Sequence, residues 1–287
     1  MSVSLKSKKT LIMGVLNVTP DSFYDGGRFN AIDHALVQAE KMVAEGADIL
    51  DIGGESTRPG ANPISIEEEL NRVIPVIEIL AKELVIPISI DTRNTIVMQK
   101  AVESGARFIN DVNALQAEDA LQTAAKLEVP ICLMHMQGLP QTMQTNPEYS
   151  NVLDEVYAYL SVRIKLCEQV GMSKEKIYID PGFGFGKTLN HNLMLLGQLA
   201  KFKALGCKIL VGLSRKSMLG KILNVEADDR LYGSLACALL ACVQGADIVR
   251  THDVKATKHV LEVYEAVKPF WHSPEQLLNQ GSMHEYA

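Results

Sequence analysis

The sequence lacks the features that mark disulfide-stabilised, membrane-spanning and nucleic-acid-binding proteins. Its five cysteines are odd in number and contain no Cys-x-x-Cys pair, which indicates reduced thiols rather than a disulfide or metal framework. The longest apolar run, LACALLACV at 235–243, is far shorter than the roughly 20 residues that cross a membrane. There is no run rich in Lys or Arg, and the net charge of −6 does not favour nucleic acid as a partner.

The N-terminal residues do not have the pattern of a signal peptide. The stretch MSVSLKSKKT carries positive charge, but no apolar segment ending in small residues adjoins it. Together with the cysteines, this predicts a cytoplasmic protein. What the chain does contain is an ordinary globular composition, with 47% hydrophobic, 22% charged and 6% aromatic residues, and 287 residues are enough for one large α/β domain.

Short apolar segments alternate with helical patterns along the whole chain. The candidate strands are 11–18, 48–54, 87–92, 107–112, 131–136, 177–182, 209–215 and 247–253. These are nearly continuous apolar runs, typical of parallel strands that are covered on both faces. Three of the intervening helices end in a Gly-Ala pair, in which Gly46, Gly105 and Gly245 are predicted to be left-handed caps before the next strand.

Eight such units without a composition break predict a single (β/α)8 TIM barrel, and a doubly wound open sheet is the alternative. One domain is expected over 1–287, with its core at about 10–267. The tail at 269–287 is expected to pack loosely.

Nearly every candidate strand brings a polar or charged residue to its C-terminal end. These residues are Asn17, Asp51, Asp91, Asn110 with Asp111, His135, Asp180, residues 214–216, and Arg250 with His252. A single Asp at a strand end is a common turn former, but the full series is not explained by capping. Because the C-terminal ends of barrel strands meet at one mouth, the series predicts one active site there.

The types of residue at this mouth indicate a ligand with two unlike ends. Acceptors suited to a flat, nitrogen-rich ring are supplied by Asp91, Asn110 and Asp180. Donors and positive charge suited to ring carbonyls and phosphate oxygens are supplied by Lys216, Arg250 and His252. We therefore expect a heterocycle at one end of the pocket and an anionic leaving group at the other.

Two polar, turn-rich segments, 17–27 and 53–61, are expected to be mobile loops over the first two strands. The amide oxygen of Asn17 is a hard neutral ligand that suits Mg²⁺ and leaves room for water and phosphate oxygens. Arg58, in the second loop, is placed to bind a carboxylate or phosphate.

The segment IYIDPGFGFGKTL at 177–189 is similar to a phosphate-binding loop without being one. Pro181 stands where a P-loop requires Gly, and Lys187 stands where a dinucleotide fingerprint requires Gly. The segment instead presents Asp180 at a strand end, followed by a backbone almost free of side chains. We interpret Lys187 as a solvated or structural charge and His135 as a hydrogen-bonded rim or core histidine.

The motifs NVTPDSF, DIGGESTRPG, SIDT, INDV, DPGFGFGK, GLSRKSMLG and RTHDV occur in this order. In order and approximate spacing the chain resembles the dihydropteroate synthases, pterin-binding TIM barrels, from about residue 10 to 267. The resemblance implies joining of 6-hydroxymethyl-7,8-dihydropterin diphosphate to 4-aminobenzoate, with release of diphosphate and 7,8-dihydropteroate. It also implies a homodimer, formed through late helices such as 231–244.

The resemblance assigns roles to residues of this sequence. Binding of the pterin diphosphate is implied for Thr57, Asp91, Asn110, Asp180, Lys216, Arg250 and His252. Of these, the ones with an implied catalytic role are Asp91, Lys216, Arg250 and His252. The residues implied to bind 4-aminobenzoate are Thr57, Arg58, Pro59, Phe185 and Ser217. Asn17 is the implied Mg²⁺ ligand. The chain departs from the family pattern at Thr251, where an aliphatic residue is commoner.

Three other functions are compatible with parts of this pattern. A methyltetrahydrofolate-dependent methyltransferase would share the barrel and the pterin acids, but it would not need the STRPG and SRKS segments. A Schiff-base aldolase would need a buried Lys216 with a lowered pKa. A pterin-binding homologue without catalytic activity is the alternative from another class, against which Asn17, Arg58 and Lys216 argue.

Overall fold

The structure is a computed structural model that describes residues 9–18, 27–56, 63–138 and 141–270, with the backbone alone at 27–31. The strands are β1 (Leu11–Asn17), β2 (Ile49–Gly53), β3 (Ile88–Asp91), β4 (Phe108–Asp111), β5 (Ile131–Met134), β6 (Ile177–Asp180), β7 (Lys208–Gly212) and β8 (Ile248–Thr251). Each strand pairs in parallel with the next, and β8 pairs with β1, so the sheet closes. The predicted (β/α)8 barrel is confirmed and the open sheet is excluded.

Helices connect the strands on the outside of the barrel. Within the described residues they are α1 (Gly27–Ala44), α2 (Ile66–Glu83), α3 (Thr95–Glu103), α4 (Ala120–Leu127), α5 (Val152–Gln169), α6 (Leu189–Gly197), α7 (Ser217–Leu223), α8 (Leu231–Val243) and α9 (Val254–Val267). The predicted glycine caps are confirmed, since Gly46, Gly105 and Gly245 have φ of +100°, +125° and +93°. None of the described helices is long and apolar enough to cross a membrane.

The observed strands end up to three residues before the predicted ones. Pro181 ends β6 because it has no N–H to donate to the sheet. After β7, Arg215 adopts a left-handed φ of +55°, and its N–H donates to Ser234 Oγ rather than to a neighbouring strand. Residues 214–216 and His135 therefore lie in loops at the mouth and not within strands. Of the tail, residues from 271 onward lie outside the described part of the chain.

The barrel interior determines which side chains reach the mouth. Its lower part is filled by a buried cluster made of Met13, Ile49, Phe108, Cys132, Tyr178, Leu210 and Ile248. Successive side chains of a strand point to opposite faces, so the residue two positions further along points inward again, one layer higher. That rule places Asp51, Asn110, Asp180 and Arg250 in the layer above this cluster. The site is thus the top layer of the barrel interior.

Candidate active site

Arg250, near the end of β8, lies between two carboxylates at the barrel mouth. Its Nε donates to Asp51 Oδ2 at 2.6 Å, and its Nη2 donates to Asp91 Oδ2 at 2.7 Å. Asn110 Nδ2 donates to the same Asp51 oxygen at 3.1 Å. Four of the strand-end residues singled out by sequence are therefore held in one network: Asp51, Asp91, Asn110 and Arg250.

Burial and ion pairing together shift the pKa values of the charged groups in this network. Burial raises the pKa of Asp91, while the charge of Arg250 acts in the opposite direction. Burial by itself lowers the pKa of Arg250, but the charges of Asp51 and Asp91 outweigh it and raise that pKa above its ordinary value. Arg250 is therefore a permanent cation at the mouth.

Asp180 is the last residue of β6, and the turn that follows the strand positions its side chain. Its Oδ1 accepts the backbone N–H of Gly182 at 2.7 Å. Gly182 has a φ of +73°, and a Cβ at that position would collide with the carbonyl oxygen of His135. Only glycine fits there, which explains the first glycine of the motif. Burial raises the pKa of Asp180, against the effects of the Gly182 N–H and of Lys216.

Lys216, which precedes α7, reaches over the same turn. Its Nζ donates to the carbonyl of Phe183 at 2.5 Å and lies 4.2 Å from the ring centroid of Phe185. Burial lowers the pKa of Lys216 to about 8, although Asp180 acts in the opposite direction. The lowered pKa that an aldolase lysine requires is therefore present. The guanidinium of the neighbouring Arg215 is paired with Asp253.

The remaining predicted site residues line the rim. His252 is exposed, and its Nδ1 and backbone N lie 3.1 and 3.2 Å from Ser214 Oγ. Ser217 is the exposed first residue of α7, directly after Lys216. At Thr251, where the family more often has an aliphatic residue, the hydroxyl accepts the N–H of Asp253 and pairs with Thr257.

Asn17 ends β1 next to the Arg250 network. Its Oδ1 lies 3.9 Å, and Asp91 Oδ2 lies 3.8 Å, from the position that a Cβ on Gly53 would occupy. Both oxygens therefore lie near Gly53 at the mouth, and an amide oxygen such as that of Asn17 suits a hard cation shared with a phosphate. Within the described residues there is no group of three or more His, Cys, Asp or Glu that could hold a metal by itself.

Thr57, Arg58 and Pro59, predicted to bind the second substrate, lie outside the described residues. The segment just before them is anchored by Glu55, which receives two hydrogen bonds from Arg93 at 2.9 and 3.1 Å. That anchor was not expected from the sequence, because the two residues are 38 positions apart.

Of the two interpretations of Lys187, a solvated or a structural charge, the structure supports the structural one. Its side chain is buried with 3% exposure, and its Nζ lies 2.9 Å from His135 Nδ1. His135 is hydrogen-bonded, as predicted. Asp51, to which no binding role was assigned, is also buried. The sequence placed it in the strand-end series at the mouth, and its position two residues after the interior residue Ile49 is the signal that would have indicated its inward direction.

Comparison of this sequence with known proteins identifies its family. Residues 13–252 match the family described as pterin binding enzyme. The dihydropteroate synthase of Escherichia coli strain K12 is 52% identical over 255 residues, which are 89% of this chain and 90% of that protein. The Haemophilus influenzae dihydropteroate synthase is 51% identical, with 89% and 93% covered. The chain belongs to the dihydropteroate synthase family.

Solved structures of other members of the dihydropteroate synthase family have the same fold. A crystal structure of the Yersinia pestis dihydropteroate synthase with a sulfonamide drug complex superposes with a TM-score of 0.87 at 47% identity, covering 91% of this chain and 95% of that one. The Xanthomonas albilineans dihydropteroate synthase in complex with 7,8-dihydropteroate gives 0.83 at 44% identity, with 91% and 94% covered. The family and its barrel, predicted from seven motifs, are confirmed.

Proposed function

We infer that this chain is a dihydropteroate synthase, a transferase of folate biosynthesis. It condenses 6-hydroxymethyl-7,8-dihydropterin diphosphate with 4-aminobenzoate to 7,8-dihydropteroate and diphosphate. The observation that carries this inference is the mouth itself, where Arg250 joins Asp51, Asp91 and Asn110 while Asp180 and Lys216 stand at the adjoining turn. Relatives of that name, about 50% identical over nine-tenths of this chain, support it.

The roles proposed for the binding residues follow from charge and hydrogen-bond capacity. The carboxylates of Asp91 and Asp180 would accept the N–H groups of the pterin edge, and the amide of Asn110 would contact the same ring. Lys216 and Arg250 would bind the ring carbonyl and the diphosphate. Charge-assisted contacts of this kind contribute about 1.5–3 kcal/mol each. His252, at the exposed rim, would complete the diphosphate site.

The second substrate is proposed to bind between the glycine-rich turn at 181–187, which follows β6, and the second loop at 53–61. The ring of Phe185 is half-buried beside Lys216 and offers an apolar surface to an aromatic amine. Ser217 follows Lys216 directly in the chain and would line the same site. Arg58 would bind the carboxylate of 4-aminobenzoate, with Thr57 and Pro59 shaping the loop around it. An aromatic amine is already a nucleophile, so the site needs to orient it rather than deprotonate it beforehand.

Mg²⁺ is proposed as the cation of the diphosphate site. Asn17 Oδ1, beside Asp91 Oδ2, would hold it together with phosphate oxygens and water, which is how Mg²⁺ is usually bound in proteins. The ion would neutralise negative charge on the leaving group. The residues of the chain then orient the pterin carbon toward the amine.

A homodimer is proposed from the apolar surface of three neighbouring helices, α6, α7 and α8. Their exposed apolar side chains are Leu193, Met194, Ile222, Leu223, Tyr232, Leu240 and Val243. Tyr232 is 81% exposed, and large exposed apolar patches mark interaction sites. Sedimentation of wild type should give a dimer that Leu240→Lys dissociates, while Ile96→Lys on α3 should not. A wild-type monomer at micromolar concentration would contradict the dimer.

The function is tested by a turnover assay with both substrates and Mg²⁺. Formation of 7,8-dihydropteroate that requires both substrates, and that is lost in Lys216→Met, is the expected result. Tight binding of pterin diphosphate without turnover would instead identify a non-catalytic pterin-binding protein. Because the pKa of Lys216 is lowered, a Schiff-base aldolase is tested separately, by borohydride trapping with a carbonyl substrate. We expect no trapped adduct. Methyl transfer from methyltetrahydrofolate is likewise not expected.

A further inference from the structure

The turn at 181–187, which we call the glycine turn, is held by side chains from several elements. Four successive carbonyl oxygens each accept a hydrogen bond: Phe183 from Lys216, Gly184 from Gln144, Phe185 from Lys187, and Gly186 from Tyr149. No sheet or helix pairs with these carbonyls, because the turn alternates left-handed glycines with other residues. Its conformation therefore depends on these donors.

Lys187 lies on the buried side of the glycine turn and faces three acceptors. Its Nζ is 2.9 Å from His135 Nδ1, 3.0 Å from the carbonyl oxygen of Phe185 and 3.4 Å from that of His135. Burial lowers the pKa of Lys187 well below its ordinary value, against the charge of Asp180. The amine donates hydrogen bonds to such acceptors in either protonation state. Lys187 thus joins the glycine turn to the segment that follows β5.

His135 is a rigid partner for Lys187. Its backbone N–H donates to the carbonyl of Asp180 at 3.0 Å, and its ring packs edge-on against Tyr159 at 4.9 Å. Burial, and then the charge of Lys187, lower the pKa of His135 to about 3. The ring is therefore neutral at pH 7, with Nδ1 as acceptor and the hydrogen on Nε2.

The two lysines of the turn act on opposite sides of it. Lys216 lies over the face of the Phe185 ring, and Lys187 holds the carbonyl of the same residue from the interior. We propose that Lys187 is a positioning residue for the second substrate, because it fixes the backbone of Phe185 against His135 and thereby sets the ring that contacts the aromatic amine. This proposal rests on the function proposed above.

The test begins with Lys187→Met, which keeps the length and apolar stem but removes the donor. We expect the KM for 4-aminobenzoate to rise about tenfold, in line with loss of a buried hydrogen bond, while the Kd for pterin diphosphate changes less than threefold. Lys100→Met, which removes an exposed lysine paired with Glu103, is the control and should leave both values unchanged. A lowered Tm with an unchanged KM would mean a purely structural role and would overturn the proposal.

A double-mutant cycle shows whether Lys187 acts through Phe185. Phe185→Ala alone should also raise the KM for 4-aminobenzoate. If Lys187 acts by positioning this ring, Lys187→Met should add little in the Phe185→Ala background. Fully additive effects would contradict the proposal.

Variants of His135 test whether the contact between Lys187 and His135 positions Phe185, even if Lys187→Met does not fold. His135→Leu removes the ring acceptor and should raise the KM for 4-aminobenzoate two- to fourfold, whereas His135→Asn offers an oxygen near the Nδ1 position and should restore it. Equal KM values in both variants and in wild type would overturn the proposal. Absence of wild-type turnover would instead refute the proposed function, so the two failures are distinguishable.

Discussion

Arg250 and Asp51 form an ion pair at the barrel mouth, with Nε 2.6 Å from Oδ2, although 199 residues separate them in the chain. They meet because β8 and β2 are the two neighbours of β1 in the closed sheet. Asp51 is fully buried, and its Oδ1 has no hydrogen-bond partner among the described residues. A buried charge of this kind orients the guanidinium that is proposed to bind the pterin diphosphate.

Asp51→Asn tests that relationship. The amide keeps the volume and one acceptor for Arg250 but removes the buried charge, so we expect a lower Tm and a 10- to 100-fold fall in kcat/KM for pterin diphosphate, about 1.4–2.7 kcal/mol. The control is Asp247→Asn, at the opposite end of the barrel, where the carboxylate accepts the N–H of Ile209. Wild-type kinetics in Asp51→Asn would show that Arg250 does not need this partner.

Asp180→Asn should weaken pterin diphosphate binding at least a hundredfold, about 3 kcal/mol. An amide accepts at one oxygen only and turns its NH2 toward the donor edge of the ring. Because Oδ1 also accepts the Gly182 N–H, Tm should be measured alongside the calorimetric Kd. Unchanged affinity would remove Asp180 from the pterin site.

Arg58→Ala is expected to affect the second substrate far more than the first. Arg58 belongs to the STRPG segment, remote in sequence from the pterin acids. Steady-state kinetics should show a raised KM for 4-aminobenzoate or a lowered kcat, with nearly intact binding of pterin diphosphate. An equal loss for both substrates would assign Arg58 to the diphosphate.

The lowered pKa of Lys216 predicts a pH dependence of binding. Below about pH 8 the group is an ammonium donor, and above it the free enzyme loses that charge. The Kd for pterin diphosphate should therefore rise up to about tenfold per pH unit above 8, with proton uptake on binding. Calorimetry in two buffers of different ionisation enthalpy measures this uptake. A Kd that stays constant between pH 7 and 9.5 would contradict this prediction. In the control Lys216→Met, the Kd should not change slope near pH 8.

The lowered pKa of Lys216 also makes stability depend on pH. Stability rises with pH, whereas binding of pterin diphosphate weakens. Unfolded lysine holds its proton up to its ordinary pKa near 10.5, whereas folded Lys216 loses it near 8. Between these values the unfolded state binds more protons, so the contribution of Lys216 to the free energy of unfolding rises with pH. Denaturation of wild type against Lys216→Met across that window should show the difference.

The composition of the site predicts that diphosphate leaves before the amine attacks. The residues of the mouth bind rings and phosphates, and electrostatic stabilisation can supply most of the barrier reduction. Asp91 and Asp180 would stabilise a positive pterin with its charge shared by the CH2 carbon. A sizeable secondary deuterium isotope effect on that CH2 is expected under single turnover, with oxygen scrambling in the diphosphate without amine. A near-unity effect together with no scrambling would favour concerted displacement.

Much of the fold and part of the site were determined by the sequence alone. Alternation of apolar runs with helical patterns predicted the eight strands, since local periodicity reflects which faces are buried. The caps at Gly46, Gly105 and Gly245 were also predicted, because a left-handed backbone favours one residue type. The motifs were sufficient to identify the family.

Tertiary structure alone decided which of the charged residues are buried and which partners they have. The sequence left both a solvated and a structural charge open for Lys187, and its burial was decided by His135 and the glycine turn, which surround its Nζ. The role of Asp51 likewise depends on its ion pair with Arg250, near the other end of the chain. Local patterns encode backbone conformation and the burial of faces, whereas the pairing of distant charges exists only once the barrel has closed.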